Sequence, residues 1–229
     1  MTKTARFLIV TAMILVFAGA ASAATFINIG TGSTGGTYYP VGAGMAKVWN
    51  SAIPGMKANA QSTGGTAQNL ALLGKGEAEV IFADGLYFFA YEGKGTFEGK
   101  PMKELRGLVP LYAEPIHFLV AKGSNIKSIQ DLKGKRVSVG AVGSGTEVTV
   151  RTLLKVAGLD PDKDIKPENL GLSDTAGAFA DKNIDAALTV GALGIAGVVE
   201  ITTLGTAEFR DIPADIVAKL GKELPYYLP

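Results

Sequence analysis

Ile29-Gly30-Thr31-Gly32-Ser33-Thr34-Gly35-Gly36-Thr37-Tyr38-Tyr39-Pro40-Val41-Gly42 is the stretch on which the fold turns. Ahead of it, Thr25 to Ile29 reads as a strand; behind it, Pro40 stands in the first turn of a helix, where its missing N–H costs nothing. Val41, Met45, Val48 and Trp49 recur at helical spacing and predict one buried face. Strand, glycine-rich loop and helix in this order open an α/β fold.

The same grammar runs outward along the chain. Lys57 to Gln61 reads as a second strand, followed by a loop and a helix around Leu70 to Leu73. Glu79 to Ala83 reads as a third, with Asp84 placed to cap an aromatic helix from Leu86 to Tyr91. Gly107 to Tyr112 and Ile116 to Ala121 are expected as further strands. Ser128-Ile129-Gln130-Asp131 is a capping box with Asp in place of the usual Glu or Gln. Arg136 to Gly140 is a short strand, and a helix from Gly145 to Ala157 stops at Gly158. Asn169 to Leu172, Ile184 to Val190 and a helical stretch near Ile195 continue the alternation.

Composition removes much chemistry. The chain has 229 residues, 47% hydrophobic and 19% charged, too apolar for disorder. It contains no cysteine and one histidine, which excludes disulfides, thiolate catalysis and multi-histidine metal sites, so no metal and no cofactor are expected. A formal net charge of +1 argues against a nucleic-acid surface.

Residues 1–23 read as a cleavable signal peptide. Lys3 and Arg6 supply the positive start, Phe7 to Ala18 the apolar core, and Ala21-Ser22-Ala23 the small-residue cleavage site. The expectation is an exported, soluble periplasmic protein.

Three loops share one chemistry: Gly32 to Thr37, Ser62 to Thr66, and Gly143 to Thr146. Each follows an expected strand and precedes an expected helix. Glycine lets the backbone present N–H groups to a ligand, Ser and Thr add neutral hydroxyls, and a helix N-terminus favours an anion. Tight strand-to-helix turns need glycine too, so both readings stand for any single loop. Gly30-Thr31-Gly32-Ser33-Thr34-Gly35 also matches G-x-G-x-x-G. A dinucleotide site wants an acidic residue about 20 positions on, and here none precedes Glu77 after the leader. Lys47, Lys57 and Lys75 instead predict a mildly positive first lobe, suited to an anionic ligand.

No catalytic set assembles. No Ser lies in G-x-S-x-G. His117 lies on an apolar strand and reads as a hydrogen-bonded core or hinge residue. Glu147 either completes a capping box with Ser144 or reaches a ligand amine, and Asp84 is a helix cap before it is an acid. Tyr87, Phe88, Phe89 and Tyr91 are expected to pack their helix, with Tyr38 and Tyr39 better placed to cover a ligand.

The opening stretch resembles the first motif of the TAXI family of TRAP-transporter solute receptors. Ser62-Thr63-Gly64-Gly65-Thr66-Ala67-Gln68-Asn69-Leu70, Asp131 to Gly140, and Gly143-Ser144-Gly145-Thr146-Glu147 are similar to its later motifs, in the family's order. Tyr112, Glu114, Pro115 and His117 resemble its crossover segment.

The resemblance implies a type II periplasmic binding protein: two α/β lobes, 24–115 and 116–212, around a ligand cleft, with 213–229 starting a return toward the first lobe. It implies a small organic anion as ligand, a glutamate-like amino acid or a dicarboxylate, passed to the membrane permease subunits of a TRAP transporter by a monomeric receptor. A periplasmic sensor serving a signalling partner is the other use of such a site. By the same resemblance Gly36, Thr37, Tyr38, Thr63, Gly64 and Gly65 would bind from the first lobe, and Ser144, Gly145 and Thr146 from the second. This chain has Phe82 where the family carries Gln. Family members continue past residue 229, so the resemblance also implies a C-terminally truncated receptor with its first lobe incomplete, or a remnant that no longer binds.

Overall fold

The computed structural model describes residues 24–227. The leader, residues 1–23, lies outside the described residues, as do positions 228 and 229. Two sheets share the chain. In the first, β1 (Thr25–Gly30) lies between β2 (Met56–Gln61) and β3 (Val80–Ile81), all parallel. Its crossovers are α1 (Tyr38–Ala52) and α2 (Thr66–Lys75), and α3 (Leu86–Glu92) follows β3. The second sheet contains β4 (Ile116–Ala121), β5 (Arg136–Ser138), β6 (Lys166–Glu168), β7 (Ala186–Val190) and β8 (Ala207–Arg210). Its order is β6-β5-β7-β4-β8, with β4 antiparallel to both neighbours. Helices α4 (Gly145–Val156), α5 (Leu172–Ala180), α6 (Ala196–Thr203) and α7 (Ala214–Glu223) cover it.

The second sheet is apolar on both faces, as a sheet covered by helices on both sides must be. Along β4, Phe118 and Val120 join one core with Leu153, Leu154 and Leu220, while Leu119 turns to the other with Leu172, Phe179 and Ile201. Each such fully buried side chain stabilises by about 2 kcal/mol. The first sheet holds a smaller core of Ile29, Ala46, Ala58 and Phe82, and Phe26 on β1 is 70% exposed.

Local signals explain the ends of the elements. Ser144 caps α4, its Oγ accepting the Glu147 N–H at 2.9 Å. Asp131 Oδ2 accepts the Ser128 N–H at 2.9 Å, so Asp closes that capping box as Glu would. Gly76 ends α2 with φ +70°, a conformation that favours glycine.

Several expectations are corrected. Gly107 to Tyr112 is not a strand: it runs with no neighbouring strand among the described residues, and Leu108, Val109 and Leu111 are exposed. A strand exists by its neighbour, and periodicity does not supply one. β3 is shorter than Glu79 to Ala83, although the Glu79 and Phe82 N–H groups still donate to β1 carbonyls. β5 stops at Ser138, before the left-handed turn at Gly140 (φ +95°). Register with β5 then places β6 at Lys166–Glu168 rather than Asn169 to Leu172, and Leu172 opens α5 instead. On α3 only Leu86 and Ala90 are buried; Tyr87, Phe88 and Tyr91 face outward, with Lys103 Nζ 4.2 Å above the Tyr91 ring.

Past α7 the chain turns back across the molecule. Tyr226 packs on Gly85, leaving no room there for a side chain, and meets Phe89 edge to face at 6.1 Å between centroids.

Candidate functional site

The N-termini of five helices, two from the first sheet and three from the second, converge on one cavity. Thr37, Gly65, Ser144, Gly171 and Ile195, the residues that open α1, α2, α4, α5 and α6, all line it. Its volume is about 80 Å³. Parallel strands deliver this arrangement, because each crossover begins a helix at the same edge of its sheet. The unsatisfied N–H groups there place partial positive charge around the cavity.

The sheets meet across the cavity through backbone. The Ala67 N–H donates to the Gly143 carbonyl, and the Gly197 N–H to the Gly35 carbonyl, both at 3.1 Å. Thr34 and Ser173 hydroxyls lie 3.4 Å apart. A Cβ on Gly35 would approach the Ser173 nitrogen to 2.9 Å, and one on Gly64 the Val142 carbonyl to 2.8 Å. A Cβ on Gly145 would collide with the Asp84 carboxylate. These glycines serve the approach of one sheet to the other as well as any ligand.

Eight of the nine residues singled out in the sequence line the cavity: Gly36, Thr37, Tyr38, Gly64, Gly65, Ser144, Gly145 and Thr146. Thr63 does not. Its hydroxyl is buried 2.7 Å from Asn69 Oδ1 and 3.0 Å from the Thr31 carbonyl, and it accepts the Gly65 N–H at 3.1 Å. Thr63 shapes the loop rather than facing the space. Its partner Asn69, fully buried, ties three loops together: its Nδ2 donates to the carbonyls of Thr31 at 2.6 Å and Phe82 at 2.8 Å. Tyr39 is absent from the lining, whereas the Tyr38 ring lies against Phe82 with centroids 5.3 Å apart.

Lys47, Lys57 and Lys75 do not reach the cavity, which corrects the expectation of a positive first lobe at the site. The charged side chains in the lining are Asp84 and Glu114, and no Lys, Arg or His is among them. Asp84 Oδ1 accepts the Leu86 N–H at 3.0 Å, so it does cap α3. Glu114 Oε2 accepts the Tyr38 hydroxyl at 2.9 Å. Burial lifts the Asp84 carboxyl above its ordinary range. Burial, with the neighbouring Asp84 adding to it, raises Glu114 to about 7 against the lowering hydrogen bond from Tyr38. Tyr38 is raised too, by burial first and then by both carboxylates. Glu114 was missed as a lining residue because nothing in the sequence says which side of the crossover faces inward.

The remaining candidates are accounted for. Glu147 takes the Gly143 N–H on Oε2 at 2.9 Å and Arg151 and Asn169 on Oε1, so it caps and braces α4 and does not face the cavity. His117 Nε2 lies 3.0 Å from the Gly191 carbonyl; a carbonyl only accepts, so Nε2 carries the proton. Thr37 Oγ1 and the Tyr112 hydroxyl are sealed from solvent and lie beside each other, with no other hydrogen-bond partner among the described residues.

A model of the NMT1-like family matches residues 29–229. Among solved structures, the alkanesulfonate-binding protein SsuA of Xanthomonas axonopodis pv. citri, bound to MOPS, is 21% identical with a TM-score of 0.55. That match covers 83% of this chain and 62% of SsuA. A protein of Bordetella bronchiseptica RB50 is 21% identical with a TM-score of 0.62, over 87% of this chain and 59% of the other. A structure from the study of glutathione import via GshT and the cystine ABC importer TcyBC of Streptococcus mutans is 16% identical, TM-score 0.54, over 90% and 98%. At these identities the likeness is one of fold. The chain spans about three-fifths of the length of the first two.

Proposed function

The chain belongs to the NMT1-like family, and from that premise we propose that it is a periplasmic receptor for a small organic anion. The observation that carries this reading is the convergence of five helix N-termini, from both sheets, on one cavity. Such a site holds a carboxylate by N–H groups and hydroxyls, reversibly and without chemistry. The lobes, 24–115 and 116–212, close on the solute, and contacts made only in the closed form shift the open–closed balance when it binds. The proposed binding residues are Gly36, Thr37, Tyr38, Gly64, Gly65, Ser144, Gly145 and Thr146, with Thr63 acting through Gly65.

The ordered motifs that resemble TAXI receptors support a glutamate-like amino acid or a dicarboxylate as solute and a TRAP permease as recipient. The likeness in fold to SsuA, a sulfonate binder, is compatible with an anion at the helix ends. Thermal melting of the chain from Ala24 against amino acids and dicarboxylates tests the reading. A ligand at 100 times its Kd stabilises by about 2.7 kcal/mol. A shift with no consumption of the solute is expected, and no shift from either class overturns the proposal.

A further inference from the structure

Asp84 belongs to the first lobe, but the second lobe seals it. Its carboxylate lies against Gly145, the first residue of α4, so closely that a Cβ there would collide with it. Within its own lobe Asp84 Oδ1 accepts the Leu86 N–H at 3.0 Å, and the Asp84 N–H donates to the Thr66 hydroxyl at 3.2 Å. Glu114 lines the same cavity and accepts the Tyr38 hydroxyl. The titratable groups that face the two carboxylates are each other, Tyr38 from α1, Tyr112 from the crossover, and Tyr226 and Tyr227 from the segment after α7. From α4 the cavity receives Gly145 and Thr146, neither charged, and its lining holds no Lys, Arg or His. An open cleft leaves the acids to water, whereas a closed one confines two like charges without a cation. The α4 N-terminus offsets part of that cost. Burial prevails, since both carboxyls are raised.

We infer that the lobes close with uptake of a proton from water, carried by the Asp84–Glu114 pair as α4 seals over it. The inference rests on the receptor reading and adds its control: acid favours the closed, capturing form, and alkali the open, releasing one. The sign follows from linkage. A carboxyl raised in the closed form, Glu114 to about 7, holds there a proton that it loses to water in the open form. Its support for closure is full below the ordinary carboxylate range and is lost as pH rises through about 7. The proton belongs to the pair rather than to either residue. An anionic solute entering the protonated cavity meets one negative charge fewer.

The chain has no cysteine, so one can be placed in each lobe, at exposed Lys75 and Lys155, and spin-labelled. Distances between the labels are read without solute from pH 5 to 8.5. A single short distance is expected at pH 5, with a longer population growing as pH passes about 7. Asp84→Asn combined with Glu114→Gln keeps the α3 cap and an acceptor for Tyr38, and should hold the short distance throughout. A distribution that does not change with pH overturns the inference, as does a double variant that opens like the parent. If the variant fails to fold, the parent series decides alone. L-Glutamate, whose own charge is constant from pH 5.5 to 8, then probes capture. Its Kd is expected to weaken by up to about tenfold per pH unit above about 7 in the parent chain, and by less in the double variant. A Kd flat with pH in the parent overturns the inference and leaves the receptor reading standing. Binding at no pH overturns the glutamate-like solute, and the label distances still decide whether closure takes up a proton.

Discussion

The Tyr38 hydroxyl donates a 2.9 Å hydrogen bond to Glu114 Oε2, joining the first turn of α1 to the segment that leads into β4. Both residues line the cavity, so one bond fixes a ring over the space and aims a carboxylate into it. Burial works against the charge on that carboxylate, and Tyr38 restores only part of what water supplied.

A stability profile with pH follows. The Glu114 carboxyl is raised from 4.5 to about 7 in the folded chain, which therefore keeps a proton that the unfolded chain has lost in between. The stabilisation is full below about pH 4.5 and is lost as pH rises through about 7, by at most about 3 kcal/mol. Asp84, also raised, acts in the same direction. Melting of the solute-free chain between pH 5 and 8 is expected to show the fall, and Glu114→Gln to flatten it. A profile that rises over that range contradicts the assignment.

Thr37 and Ser144 both line the cavity and are expected to separate stability from binding. Ser144→Ala removes the α4 cap and should cost about 1 kcal/mol in denaturant unfolding as well as weaken binding. Thr37→Val removes a hydroxyl that meets only the Tyr112 hydroxyl among the described residues, so folding stability should fall less than in Ser144→Ala while affinity falls. Equal losses of stability in the two variants would show that the contact of Thr37 with Tyr112 holds the fold as strongly as the α4 cap.

Asn69→Ala leaves the Phe82 carbonyl without its buried donor and the Thr31 carbonyl with the Thr63 hydroxyl alone. The expected loss is about 2 kcal/mol, read from urea unfolding, since a buried unsatisfied group costs about 1–3 kcal/mol. The same variant should loosen the loop carrying Gly64 and Gly65, seen as faster amide exchange there.

Gly35→Ala tests closure. A methyl group there meets the Ser173 backbone, while nothing in the first sheet's own core is disturbed. Small-angle scattering should show a larger radius of gyration, and affinity for any bound solute should drop with little change in solute-free melting. Unchanged affinity would mean that the sheets need not meet at this point.

Much of this molecule is written locally. Ser144 caps because its oxygen reaches the N–H three residues on, Asp131 because its carboxylate reaches the N–H three residues back, and the apolar run at β4 demands cover on both faces. Those are effects of neighbours in the chain, and the α/β order and the three loops rich in Gly, Ser and Thr were legible from them, while the individual site residues came from the resemblance to a receptor family. What tertiary structure alone decided is which groups face one another across the cavity. Thr63 turned from the space because Asn69, six residues on, is buried beneath it. Gly107 to Tyr112 has strand-like residues without a partner strand, and no periodicity reveals that. Glu114, on an irregular crossover, carries no pattern to mark its direction. Its meeting with Tyr38, 76 positions earlier in the chain, is made by the packing of two sheets and by nothing nearer.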